Sequence, residues 1–169
     1  TFIKVYESMT SKRDDIRFVL LGSGPAENDL KERMPEAIFP GYLKGTELGE
    51  GYASGDILFF PSTTETFGNV VQEALASGLP AVVSNVGGCK EIVKQSNGGL
   101  ISKAKDARSF EKNITRLLDD RDKYEKCKED GLKFAHTRSW RYINKDLIEM
   151  YEKISKEDHS KRDPLISIV

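Results

Sequence analysis

The chain has 169 residues, enough to bury one sizeable core, and its 26 lysines and arginines against 27 aspartates and glutamates leave a net charge of -1. That balance excludes the basic footprint nucleic-acid binding leaves, so no nucleic-acid partner is expected. Two cysteines, Cys89 and Cys127, fit neither a zinc spacing nor a disulfide framework, and no run reaches the roughly 18 apolar residues of a membrane span. The expectation is a cytoplasmic protein.

The chain opens inside "TFIKVYESM", where Phe2, Val5, Tyr6 and Met9 fall at helical spacing, so it reads as a piece of something longer. "IRFVLLGSG" is a continuous apolar run, as expected for a strand covered on both faces, and "DILFFPS" and "PAVVSN" are built alike. "AIFPGYL" and "GGLIS" are weaker, and Pro40 predicts a short or irregular element. Between these runs lie the helix candidates "AENDLKERM", "GTELGEGYAS", "GNVVQEALAS" and "GCKEIVKQ". Strand and helix alternating in this way predict an α/β fold, a doubly wound parallel sheet over residues 1–105. Three helices follow over 106–156: "ARSFEKNITRLLDD", "KYEKCKEDGLKFAH" and "WRYINKDLIEMYEKI". In the last, Trp140, Ile143, Leu147 and Tyr151 share a stripe expected to be core. Residues 157–169 form a charged tail with an apolar tip, and the whole is expected to be a single lobe.

Ligands of such sheets sit beyond the carboxyl ends of the strands. "DILFFPS" delivers the chain to Thr63, Thr64 and Glu65, and a helix is expected to start near Gly68. Its free N–H groups and the positive end of its dipole make an anion site. Val70, Val71, Ala74 and Leu75 form the buried stripe, while Glu73 lies on a flank just over one turn in. Glu65 and Glu73 can therefore flank an anion rather than pair. Carboxylates accept hydrogen bonds from vicinal hydroxyls, so a ligand running sugar, phosphate, ribose fits this order.

"PSTTETFGNVVQEALASGLPAVVSNVGGCKEIV" resembles the signature of the group 1, or family 4, retaining glycosyltransferases, with its E-x7-E motif and following turn. "FVLLGSGP", "FPGYL", "YASGDILFFPS" and "SNGGLI" extend the resemblance, in order, over about residues 1–155. It implies the C-terminal, Rossmann-like lobe of a GT-B enzyme that transfers a hexose from an NDP-sugar to a lipid or saccharide acceptor. By position, Glu65 would contact the donor sugar and Glu73 the ribose. Thr66 belongs to the same donor loop, and the amides around Phe67, Gly68, Asn69 and Val70 would hold the distal phosphate. Backbone near Tyr42 and Leu43 would hold the base, and Gly22 and Gly24 would let the chain turn close to the donor phosphates or the other lobe. A front-face displacement, in which the leaving diphosphate helps deprotonate the acceptor, needs no nucleophile here, and no metal or other cofactor is expected.

Two family features are not found: an Arg and a Lys, a few residues apart on a first strand and loop ahead of the helix that opens this chain, and the N-terminal acceptor lobe. This chain alone is accordingly expected to be inactive, and any lipid acceptor or membrane surface would be reached through that lobe. Arg13, Arg17 and Lys44 are the nearest cations by sequence, with no role assigned. The alternatives are a sugar-nucleotide epimerase of the same architecture and a non-catalytic nucleotide-sugar-binding module. "GSGPAEN" has Glu27 where a dinucleotide fingerprint has its third glycine, which argues against a nicotinamide or flavin site. Gly87 and Gly88 read equally as a tight turn or as a wall of the donor pocket. Cys89 reads as structural rather than reactive, and His136 and His159 as ordinary helix or surface residues.

Overall fold

The computed structural model describes residues 1–156, and its elements follow the predicted alternation. Helix α1 (Phe2–Thr10) leads to β1 (Val19–Leu21), α2 (Glu27–Arg33), β2 (Ile38–Gly41) and α3 (Gly45–Ala53). Then come β3 (Leu58–Phe60), α4 (Asn69–Ala76), β4 (Ala81–Ser84), α5 (Cys89–Ser96) and β5 (Gly99–Ser102). The helices α6 (Ala107–Asp119), α7 (Arg121–Thr137) and α8 (Trp140–Lys156) complete the order. The side chain of Trp140, the tail 157–169 and His159 lie outside the described residues.

Every described strand pair is parallel. β4 lies between β3 and β5, and its four residues are fully buried on both faces because successive side chains alternate. Val82 meets Val5 and Met9 of α1, Phe110, Ile114 and Leu117 of α6 and Cys127 of α7. Ala81 and Val83 point the other way, into Val71 and Leu75 of α4 and Cys89, Ile92 and Val93 of α5. Helices on both faces of a parallel sheet are the doubly wound arrangement.

The strands form two ladders, β1 with β2 and β3-β4-β5. β1 and β3 are three residues each, leaving little edge to share, and side chains join the two ladders instead. Phe18 and Phe59 pack on one buried cluster, and Leu21 and Leu58 on another. β1 is not covered on both faces as expected, since Val19 is 48 % exposed. The seven residues of α2 are mostly charged or amide side chains and bury none of their number, so no apolar stripe is laid over this end of the sheet. Pro40 sits in β2, at a sheet edge where a missing N–H costs least.

Thr1–His136 form one compact unit, and a second begins at Thr137. Within the second, α8 does not behave as core: Ile143 and Leu147 are exposed and Tyr151 is 63 % exposed. One helix has no opposing face of its own against which to bury an apolar stripe. No helix among the described residues is long and apolar enough to cross a membrane.

Candidate functional site

The loop after β3 ends at Gly68, which caps α4 at φ 87, a left-handed conformation that favours glycine. A Cβ there would stand 2.8 Å from Ile92 Cδ1 and 3.3 Å from Cys89 Cα, so the start of α4 is set directly on α5. Gly87 and Gly88 support the loop from below. A Cβ on Gly87 would lie 2.7 Å from the Glu65 carbonyl oxygen, and one on Gly88 would overlap the Thr66 carbonyl. The Gly88 N–H donates to the Glu65 carbonyl at 2.8 Å. This pair is thus more than a tight turn: it is the bed on which Glu65 and Thr66 rest.

Glu65 Oε1 accepts from the Phe67 N–H at 3.3 Å and the Gly68 N–H at 3.1 Å. Two of the four amides expected to face a phosphate are therefore engaged by the chain's own carboxylate. The physical reason is local, since unpaired N–H groups at a helix start attract any nearby anion, and Glu65 is within reach. Asn69 and Val70, the first two residues of α4, have N–H groups without an acceptor among the described residues. Thr66, Phe67 and Asn69 are exposed, and Val70 is half-buried. Cys89 is buried beneath, its thiol pushed up to about 11 by burial and by the charge of Glu65, so it is a protonated packing group.

Glu73 is exposed on the first turns of α4 and is held from the side by α3: the Tyr52 hydroxyl donates to Glu73 Oε2 at 3.1 Å. Burial, then the Glu73 charge and this hydrogen bond, raise the Tyr52 hydroxyl well above its ordinary pKa, so it remains a donor. Leu43 approaches the same helix, with Cδ1 3.2 Å from where a Gly51 Cβ would be. Tyr42 is exposed, and the Lys44 ammonium sits 5.1 Å above its ring. Gly22, at φ 129 just past β1, donates its N–H to the Gly41 carbonyl, and among the described residues no atom lies within 4 Å of a Cβ position on Gly22 or Gly24. The loops after β1, β2 and β3 therefore stand beyond the carboxyl ends of parallel strands, with α3 linking Leu43 to Glu73. Arg13 is committed to Asp15 and Asp119, and Arg17 to the carbonyls of Asp14 and Ile16.

An open surface cleft of about 610 Å³ lies elsewhere, between α1 and α6, lined by Ser8, Lys12, Arg108, Glu111, Lys112 and Thr115. Among the described residues no three His, Cys, Asp or Glu side chains gather as metal ligands. Tyr52 is not marked as a site residue by its sequence context. Its spacing from Leu48 reads as an apolar stripe, and only the hydroxyl, unnecessary for packing, signalled a polar task.

The model of the glycosyl transferases group 1 family matches residues 1–134. The chain is 34 % identical over 150 residues to a GDP-mannose-dependent alpha-mannosyltransferase of Corynebacterium glutamicum, covering 85 % of this chain and 35 % of that protein. It is 36 % identical over 126 residues to the sulfoquinovosyl transferase SQD2 of Arabidopsis thaliana, covering 71 % and 24 % respectively. The chain thus spans about a quarter to two fifths of the curated relatives it matches. Among solved structures, Anabaena HepE in complex with UDP shares the fold at a TM-score of 0.76 and 19 % identity, over 90 % of this chain and 45 % of that one.

Proposed function

Because the chain belongs to the group 1 glycosyltransferases, we propose that it is the nucleotide-sugar-binding half of a retaining enzyme that transfers a hexose from an NDP-sugar to a lipid or saccharide acceptor. The observation that carries this reading is the start of α4, where two N–H groups without an acceptor among the described residues lie between Glu65 on one side and Glu73 one turn further on. In this reading the Asn69 and Val70 amides and the helix dipole receive the distal phosphate. Glu73 accepts from the ribose hydroxyls, and backbone near Tyr42 and Leu43 meets the base. Gly22 and Gly24 leave room for the diphosphate to pass close to the main chain.

Glu65 has two tasks in sequence. Without donor it satisfies the Phe67 and Gly68 N–H groups; with donor it turns to the hexose hydroxyls and releases those amides to the ligand. Charge-assisted hydrogen bonds from the hexose replace the ones given up, so the exchange costs little and fixes the anomeric carbon. The leaving diphosphate then takes the acceptor proton, and no residue of this chain forms a covalent intermediate. No metal or other cofactor is assigned in this reading. In this reading the cations that neutralise the diphosphate lie on a first strand and loop ahead of α1, and the acceptor lobe is the other half of an enzyme that works in the cytoplasm and reaches any membrane-borne acceptor through that lobe.

Membership of a glycosyltransferase family favours transfer over the epimerase alternative. The test is a thermal-shift panel of UDP-, GDP- and ADP-hexoses on the full-length protein, followed by radiolabelled transfer with the stabilising donor. Stabilisation by one nucleotide family with transfer supports the reading. Stabilisation without transfer to any lipid or saccharide acceptor favours the binding module, and epimerised donor without transfer favours the epimerase.

A further inference from the structure

We propose that Tyr52 is a positioning residue for the donor nucleotide, acting through Glu73; this rests on the reading that Glu73 holds the ribose. The hydroxyl of Tyr52 donates to Glu73 Oε2 at 3.1 Å across 21 residues of chain. Its ring is 8 % exposed and belongs to the buried cluster with Ala74 and Leu79, packed by Leu21, Leu48 and Leu58. The donor is thus anchored in core, whereas the acceptor is an exposed glutamate on a helix surface.

An exposed glutamate samples many rotamers, and fixing one on binding opposes affinity. A hydroxyl held in core selects the rotamer before the ligand arrives and engages one oxygen, leaving the second oxygen and the remaining lone pairs for vicinal hydroxyls. Phenylalanine would fill the same space, so packing alone does not explain the hydroxyl. Neighbouring geometry points the same way. Gly51, adjacent to Tyr52, lets Leu21 and Leu43 approach to 3.1 and 3.2 Å from its Cβ position. One helix, α3, therefore fixes both the loop assigned to the base and the carboxylate assigned to the ribose, and so sets the distance between them.

Calorimetry on the full-length parent, Tyr52→Phe, Glu73→Gln and the double variant tests this, with UDP, GDP and the 2′,3′-dideoxy form of whichever nucleotide the parent binds. Tyr52→Phe is expected to weaken the ribonucleotide about three- to tenfold and to leave the dideoxy form unchanged. Added to Glu73→Gln, it is expected to do much less, because the two act on one contact. Parent-like ribonucleotide affinity in Tyr52→Phe, with a weakened Glu73→Gln, would overturn the positioning role while keeping the ribose reading. Equal loss for ribose and dideoxy forms would reduce Tyr52 to a structural residue. Parent-like affinity in Glu73→Gln would remove the ribose reading itself, and the inference with it.

Discussion

Gly88→Ala tests whether the bed beneath the donor loop is as tight as its geometry requires. Gly88 has φ -68 and ψ -27, an ordinary helical conformation that alanine adopts without strain, so any effect comes from the added methyl. That methyl would overlap the Thr66 carbonyl, 2.7 Å from its carbon and 3.2 Å from the Phe67 nitrogen. These are backbone atoms, and restoring ordinary contact requires the loop to retreat by about 1 Å. Overpacking of this kind costs about 1–3 kcal/mol. The Gly88–Glu65 hydrogen bond of 2.8 Å is stretched as well, adding about 1 kcal/mol. Lower unfolded-state entropy returns about 0.4–1 kcal/mol, so the net loss is about 1–4 kcal/mol. Urea unfolding measures it, with Gly24→Ala, whose Cβ position is open, as the control. Donor turnover should fall further than stability accounts for, since about 1 Å of misplacement can cost on the order of a hundredfold. Gly88→Ala with parent stability and parent turnover would refute the supporting role of α5. A stability loss with unchanged donor affinity and turnover would separate the bed from the site.

Glu73→Ala in the full-length enzyme should weaken free NDP and NDP-sugar alike by about 1–3 kcal/mol, read by calorimetry; equal affinity would return Glu73 to the solvated surface. Glu65→Gln should leave free NDP binding nearly unchanged and lower kcat, because it faces the hexose; a loss of NDP affinity as large as for Glu73→Ala would break the two-ended arrangement. Cys89, its thiol pushed from 9.0 up to about 11, should resist alkylation in the folded protein. The raised value favours the folded state fully below about pH 9, and that contribution should disappear as pH rises through about 11. A pH series of urea unfolding on parent and Cys89→Ala measures the difference, and identical slopes would contradict it. The 169-residue chain alone should fold and yet transfer no sugar, as catalysis needs groups from both sides of the cleft; detectable transfer by the purified chain would refute this.

Local periodicity made the alternation of strands and helices readable, and the turn chemistry of Gly68 located the start of α4 to within a residue. Of the expected stripe Val70, Val71, Ala74 and Leu75, the last three are buried as helical spacing requires, whereas Val70, in the first turn of α4, is only half-buried. What sequence could not show is which distant element lies across a given face. The seating of Gly87 and Gly88 on Glu65 and Thr66 joins residues some twenty apart, and so does the bond from Tyr52 to Glu73. Val19 and the α8 stripe erred for the same reason, since apolar pattern predicts burial only where a covering face is supplied. The closing of Glu65 onto Phe67 and Gly68 follows from rotamer geometry, which no spacing records.

In the proposed function the start of α4 receives the donor phosphate between two carboxylates. Two-dimensional amide NMR of the isotopically labelled chain, titrated with the nucleotide diphosphate that stabilises the protein, tests it most directly. The largest shifts are expected at Phe67, Gly68, Asn69 and Val70, with smaller ones at Gly22, Gly24 and Leu43. Shifts confined to the cleft of Lys12, Arg108 and Lys112, or none at the α4 amides, would contradict it.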